Sequence, residues 1–195
     1  MSDRPPSKPP AHPPTDPPEP ARERAASVVI VNTGDGKGKT TAAMGTVVRA
    51  VARGWRVFVV QFVKSERWRA GEEDVARRLG VEWWTTGDGF TWDSDDLERS
   101  ASLARAGWEA AARRLASGDH DLVVLDEVTY PMNWGWIPDG EVARAIRDRP
   151  PHVNVIATGR DAPADLVAVA DTVTDMTKVR HAFDRGTPAR RGIDY

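Results

Sequence analysis

From Val28 onward, short runs of Val, Ile, Leu and Phe alternate with longer stretches in which apolar residues return every three or four positions. Runs of the first kind read as strands buried on both faces, and stretches of the second as helices packed through one side. Strands are expected over Val28–Val31, Arg56–Val63, Val81–Thr85, Asp121–Glu127, Val153–Thr158 and Thr172–Met176. Helices are expected over Thr40–Arg53, Gly71–Leu79, a stretch capped by Ser94 that runs through Leu97, Leu103, Trp108 and Leu115, then Pro138–Arg147 and Ala164–Ala170. Gly54 stops the first helix in the manner of a C′ residue, and Pro138 suits an early helical position. Strands and helices in alternation predict an α/β fold, a mostly parallel sheet with helices on both faces. In such sheets ligands gather beyond the carboxyl ends of the strands.

The turn after the first strand is Thr33-Gly34-Asp35-Gly36-Lys37-Gly38-Lys39-Thr40-Thr41. Strand, glycine-rich turn and helix start form a phosphate cradle: the glycines let backbone N–H groups converge on phosphate oxygens, and the helix N-terminus adds partial positive charge. Lys39 neutralises phosphate charge in that pattern and Thr40 faces Mg²⁺ (or Mn²⁺). The fit to G-x-x-x-x-G-K-[ST] is imperfect, because Thr33 stands where the first glycine belongs and Gly34 follows one place later. The expected fold is therefore P-loop NTPase-like, of the RecA-like kind, and the expected ligand a nucleoside triphosphate held by Gly34, Asp35, Gly36, Lys37, Gly38, Lys39, Thr40 and Thr41.

Further polar residues sit at the tips of later strands. Leu122–Leu125 delivers Asp126 and Glu127, and the first acid of such a pair supports Mg²⁺ in P-loop proteins. Arg160 ends another strand and can reach a triphosphate as a charge clamp; Gln61 and Lys64 are weaker candidates for the same task. Asp93, Asp95 and Asp96 suit the first turn of a helix. Phe90 and Trp92 lie two apart in a glycine-flanked loop, so in an extended stretch they point the same way. They can cover a large flat ligand or join the core, and Tyr130, Trp134 and Trp136 carry the same ambiguity. A kinase or ATPase, or a nucleotide-binding protein without catalysis, stays open at this point.

Composition narrows the field. The 195 residues carry a formal net charge of −2, which predicts no general attraction to nucleic acid. The absence of cysteine removes disulfides, thiolate nucleophiles and Cys-ligated zinc. His12, His120, His152 and His181 are scattered without ligand spacing, and there is no G-x-S-x-G elbow. No apolar run is long enough to cross a bilayer, so no membrane partner and a cytoplasmic location are expected. Residues 1–26 repeat Pro-Pro every four positions with no hydrophobic period, and are expected to form a disordered, partly polyproline-II tail ahead of one domain over 27–195.

Taken in order, Thr33-Gly34-x-Gly36-Lys37-Gly38-Lys39-Thr40-Thr41-Ala42-Ala43, Val60-Gln61-Phe62-Val63-Lys64, Gly89-Phe90-Thr91-Trp92, Val124-Leu125-Asp126-Glu127-x-Thr129-Tyr130, Thr158-Gly159-Arg160 and the ending Lys178-x-x-His181-x-x-Asp184-x-Gly186…Gly192-Ile193-Asp194-Tyr195 resemble the P-loop type of ATP:corrinoid (cob(I)alamin or cob(I)yrinic acid a,c-diamide) adenosyltransferase. The likeness runs from about Val28 to Tyr195. It implies transfer of the 5′-deoxyadenosyl group of ATP to Co(I) of a corrinoid, with release of inorganic triphosphate, in cobalamin biosynthesis or salvage. It also implies ATP bound in the loop in reversed direction, a homodimer, and a reduced flavin or flavoprotein as electron donor. By resemblance Phe90 and Trp92 displace the lower axial ligand of the corrinoid, and Asp126 and Glu127 position Mg²⁺ or ribose hydroxyls. Asp35 departs from the Asn or Glu frequent at its position, and the proline-rich tail departs from the segment that covers the corrinoid in some members.

Overall fold

The computed structural model describes residues 25–65, 71–87 and 97–194. In chain order the elements are β1 (Val29–Thr33), α1 (Lys39–Val51), β2 (Val57–Ser65), α2 (Gly71–Arg78), β3 (Glu82–Gly87), α3 (Leu97–Ser117), β4 (Leu122–Asp126), α4 (Thr129–Asn133), α5 (Glu141–Asp148), β5 (Asn154–Thr158), α6 (Ala164–Ala168) and β6 (Thr172–Asp175). The strands form one sheet in the order β3-β2-β4-β5-β1-β6, and every pairing is parallel. This is the α/β, P-loop NTPase-like architecture that the alternation of runs predicts.

Side-chain alternation along the strands divides the core in two. Val123 and Leu125 of β4, with Val29, Val31, Phe58, Val60 and Val155, pack on one face against Ala104, Trp108 and Leu115 of α3, Val142 and Ile146 of α5 and Leu166 of α6. Leu122 and Val124, with Val57, Val59 and Ile156, pack on the other face against Ala43, Met44 and Val47 of α1 and Ala76 of α2. A central strand buried on both sides needs apolar residues at every position, which is why β4 reads as an unbroken run. Each such side chain contributes about 1.5–3 kcal/mol by leaving water.

Edges differ from expectation in places. Helix α5 starts at Glu141 after a left-handed Gly140 (φ 72°), so Pro138 lies in the preceding turn rather than inside the helix. The five-residue α4 follows the acidic strand end at once, where no separate helix was expected. Helix α6 stops at Ala168. Ser94, Phe90 and Trp92 lie outside the described residues, as do residues 1–24 and the side chain of Lys64. Among the described residues no helix is long and apolar enough to cross a membrane.

Register is what positions the site. Gln61 stands opposite Asp126 and Asn32 opposite Thr158, with β5 lying between β1 and β4. The polar residues that end these strands therefore reach one level, directly under the turn that follows β1.

Candidate functional site

The turn after β1 wraps around its own lysine. Lys39 Nζ donates to the carbonyl oxygens of Gly34 at 2.5 Å and Gly36 at 2.7 Å, so the ammonium sits inside the arc of the loop. Burial pulls the Lys39 pKa below the ordinary lysine range and Arg160 adds to that, while Asp35, Glu127 and Asp175 oppose it. A cation held in this way gains from an approaching polyanion.

The loop is seated on the residues after β6. Gly36 N–H donates to Met176 O, and a Cβ at Gly36 would come within 2.5 Å of that same oxygen. At Gly34 (φ +92°) a Cβ would meet Asp175 Oδ1 at 2.1 Å. Both positions exclude any larger residue, Gly34 on backbone conformation as well as space. Thr33 at the first motif position has its own task, because its Oγ1 accepts the N–H of Ala162 from the turn after β5 at 3.2 Å. A glycine there would lose that tie.

Beneath the loop, Asp126 is fully buried and accepts three hydrogen bonds. Thr40 Oγ1 donates to Oδ1 at 2.8 Å, Thr158 Oγ1 donates to Oδ1 at 2.7 Å, and Gln61 Nε2 donates to Oδ2 at 2.8 Å. Gln61 is itself 2 % exposed, so it holds Asp126 and does not reach out as a phosphate clamp. Thr158 Oγ1 also accepts the backbone N–H of Glu127 at 2.9 Å, which commits its proton to Asp126. Glu127 adopts a left-handed backbone (φ 62°), a costly conformation for a non-glycine residue that the Thr158 contact helps to fix. Thr40, having given its proton to Asp126, keeps its lone pairs for a cation.

No group of three or more His, Cys, Asp or Glu side chains with metal-ligand geometry occurs among the described residues. That donor set still fits Mg²⁺, which in nucleotide sites takes one or two protein oxygens and completes its shell with phosphates and water. Thr40 Oγ1 with the Asp126 carboxylate behind it, and Glu127 beside it, supply hard oxygens of this kind.

A cleft of about 330 Å³ opens over these groups. It is lined by the loop from Asp35 to Thr41 and by Glu127, Tyr130 and Arg160, and it is closed on another side by the C-terminal segment, including His181, Ile193 and Asp194. Arg160 Nε lies 3.6 Å from Asp35 Oδ1 on the cleft wall, and both side chains are largely exposed. Lys37 Nζ pairs with Asp194 Oδ1 at 2.9 Å, which ties the C-terminal turn to the loop. The N–H of Arg190 first, and Lys37 second, hold the Asp194 carboxyl below its usual range. Tyr130 is half-buried and stacks on Trp134 at 5.5 Å between ring centroids, and Trp134 meets Trp136 at 4.7 Å. Burial, with Glu127 next, raises the Tyr130 pKa, so the phenol keeps its proton.

Asp35 to Thr41, Glu127 and Arg160 thus line one cleft, Asp126 and Gln61 lie beneath it, and Gly34 lines a neighbouring cavity with Asp175 and Lys178. Thr158 and the contacts of the C-terminal segment go beyond the expected nucleotide site. Thr158 carried a visible signal, a hydroxyl ending an apolar strand, whereas His181 and Asp194 stand in the ending that carries the resemblance, and no spacing in the chain announces the pairing of Asp194 with Lys37.

The ATP:corrinoid adenosyltransferase BtuR/CobO/CobP family model matches residues 25–195. A corrinoid adenosyltransferase of Escherichia coli (strain K12) is 45% identical over 168 residues, which cover 86% of this chain and 85% of the relative. Corrinoid adenosyltransferase CobA of Salmonella typhimurium (strain LT2) is likewise 45% identical over 168 residues, with 86% and 85% covered. A corrinoid adenosyltransferase of Sinorhizobium sp. is 36% identical over 171 residues, covering 86% of this chain and 80% of the relative.

Proposed function

The chain belongs to the ATP:corrinoid adenosyltransferase family, and from that membership we propose how its cleft carries the reaction. The protein is an enzyme that transfers the adenosyl group of ATP to a corrinoid. A kinase or ATPase, which the loop by itself leaves open, is not favoured by the named relatives.

The triphosphate lies in the loop from Gly34 to Thr41. Backbone amides and Lys39 face its oxygens, Arg160 closes on it from the end of β5, and Thr40 with Asp126 and Glu127 holds Mg²⁺. When bound, Mg²⁺ supplies positive charge to the leaving polyphosphate. The nucleophile is Co(I) of the corrinoid, whose electron pair forms the bond to C5′ while the C5′–O bond breaks and its pair leaves with triphosphate. Charge therefore grows on the oxygen that departs, and a fixed array of donors around the polyphosphate is the arrangement that stabilises it. Binding the nucleotide with its γ-phosphate deep in the loop turns C5′ outward toward the corrin. Phe90 and Trp92 displace the corrinoid's lower axial ligand and so ease reduction of Co(II). A reduced flavin or flavoprotein supplies the electron, the working unit is a homodimer, and the setting is the cytoplasm. Residues 27–195 form the working domain, with 1–26 a proline-rich tail ahead of it.

The observation that carries this reading is the joining of cradle and acidic strand: Thr40 at the loop's helix start bonded to the buried Asp126 at 2.8 Å. The test supplies ATP, Mg²⁺ and chemically reduced Co(I) corrinoid and follows the light-sensitive absorbance of a cobalt–carbon bond. Its formation, and its loss in Lys39→Ala, is expected. An unchanged corrinoid spectrum with the unmodified protein contradicts the reading. Phe90→Ala and Trp92→Ala should slow the reaction from Co(II) far more than from Co(I), and equal loss from both would remove the role given to those aromatics.

A further inference from the structure

The C-terminal segment brings a side chain to the cleft for which neither the loop nor the acidic strand has a counterpart. His181 lines the same cavity as Lys37, Lys39, Glu127 and Arg160. Its ring is held by a short 3₁₀ turn, Phe183–Arg185, in which Phe183 N–H donates to His181 Nδ1 at 3.2 Å. A backbone amide can only donate, so Nδ1 is the acceptor and carries no proton. The ring's proton is then on Nε2, and that nitrogen is a donor. The turn is braced by Gly186 N–H to Phe183 O at 2.9 Å and Thr187 N–H to Ala182 O at 3.2 Å. The far end of the segment is pinned to the phosphate loop through Lys37 and Asp194 at 2.9 Å. The segment is therefore attached to the cradle, with an N–H donor of fixed tautomer on the cleft wall.

We infer that His181 is a further ligand of the polyphosphate, donating from Nε2–H to a phosphate oxygen across the cleft from Lys39. This deepens the proposed function and rests on it, since the ligand is the triphosphate of that reaction. No proton transfer is required. The bond electrons pass to oxygen as C5′–O breaks, the leaving triphosphate carries one more negative charge than it had as an ester, and one more hydrogen bond to it counts for most at that point.

The test measures binding of Mg²⁺-tripolyphosphate to the full-length chain by isothermal titration, without corrinoid, for the unmodified protein, Lys39→Ala, His181→Ala, His181→Asn and His181→Gln. The Gln amide nitrogen reaches where Nε2 stands and the Asn amide where Nδ1 stands. The Ala and Asn variants should bind about 10- to 100-fold more weakly, the worth of one hydrogen bond to a charged acceptor, and the Gln variant within about 3-fold of the unmodified protein. With chemically supplied Co(I), kcat should fall in the same order while the KM for corrinoid stays put. Thermal melts of each variant confirm that it is folded. If His181→Ala binds triphosphate as the unmodified protein does while Lys39→Ala does not, the inference is overturned and the cradle stands. If Gln weakens binding as much as Ala, the ring acts by packing and the inference is overturned as well. Failure of the unmodified protein to bind triphosphate would sink the inference together with the phosphate cradle.

Discussion

Thr158→Val isolates the polar network under the loop. Valine matches threonine in shape, so no cavity opens, and the change removes only the hydroxyl. That hydroxyl makes two contacts: it donates to Asp126 Oδ1 at 2.7 Å and accepts Glu127 N–H at 2.9 Å. A hydrogen bond to a charged acceptor is worth about 1.5–3 kcal/mol, and an orphaned backbone N–H at a half-buried position adds about 1 kcal/mol. Thr40 and Gln61 still serve Asp126, which keeps the total near the lower end, about 3 kcal/mol. For a domain of this size that corresponds to a fall in Tm of roughly 6–12 °C. Urea titration with linear extrapolation gives the free energy, and a circular-dichroism melt gives the Tm. Thr158→Ser keeps the hydroxyl and should lose only about 1 kcal/mol for its methyl group. In an Asp126→Asn background the cost of Thr158→Val should shrink to about 2 kcal/mol, because a neutral acceptor is worth only about 1 kcal/mol while the orphaned Glu127 N–H still costs about 1 kcal/mol. A Thr158→Val protein within about 0.5 kcal/mol of the unmodified one, or an equal cost in both backgrounds, would refute the claim that Asp126 is held in place by its donors.

Other perturbations probe the cradle from different sides. Lys39→Ala should lower kcat/KM for ATP by about 100-fold or more even with Co(I) supplied, as loss of a preorganised donor to a leaving group does; unchanged kinetics would remove the lysine from the mechanism. Burial and Arg160 hold the Lys39 pKa down, while a bound polyphosphate favours the charged form. ATP binding should therefore take up protons on the alkaline side of neutrality, and affinity should decline at a lower pH than it would for a solvent-exposed lysine; calorimetry in buffers of different ionisation enthalpy that detects no uptake contradicts this. Gly36→Ala forces a Cβ to within 2.5 Å of Met176 O, so the loop must shift, and both stability and ATP affinity should fall; a variant that binds ATP normally would show that the seat on Met176 is dispensable. Asp35→Asn removes an exposed negative charge beside the polyphosphate, so ATP should bind about 2- to 3-fold more tightly at low ionic strength, with the gain fading as salt is added. Weaker binding in that variant would mean the Asp35–Arg160 pair positions the arginine.

Much of the fold was legible in the chain because a parallel sheet buried on both faces writes itself as apolar runs. Leu122–Leu125 and Val155–Ala157 admit no polar residue until their ends, so Asp126 and Thr158 mark both where those strands stop and where chemistry begins. The cradle was legible because glycines and a lysine before a helix have few other uses. Helix edges were less so: Pro138 suits a helix start, yet Gly140 is the residue before α5, and choosing between them depends on how α5 meets Trp108, whose Nε1–H bonds Glu141 at 2.8 Å. The role of Gln61 was misjudged for a similar reason. Its place at a strand end suggested outward reach, but register sets it opposite Asp126 and burial turns it inward. The ending that holds His181 and Asp194 was visible through the family resemblance, but the pairing of Asp194 with Lys37 was not, because it joins segments far apart in the chain by single side chains with no periodic signature.

The central claim is that the bond cleaved is C5′–O and not a P–O bond of the phosphoanhydride chain. The most direct measurement follows the phosphorus of ATP by ³¹P NMR in a reaction containing the protein, Mg²⁺ and a Co(I) corrinoid. The account predicts intact inorganic triphosphate, one per cobalt–carbon bond formed. ADP and orthophosphate as the primary products, with the corrinoid unalkylated, would contradict it.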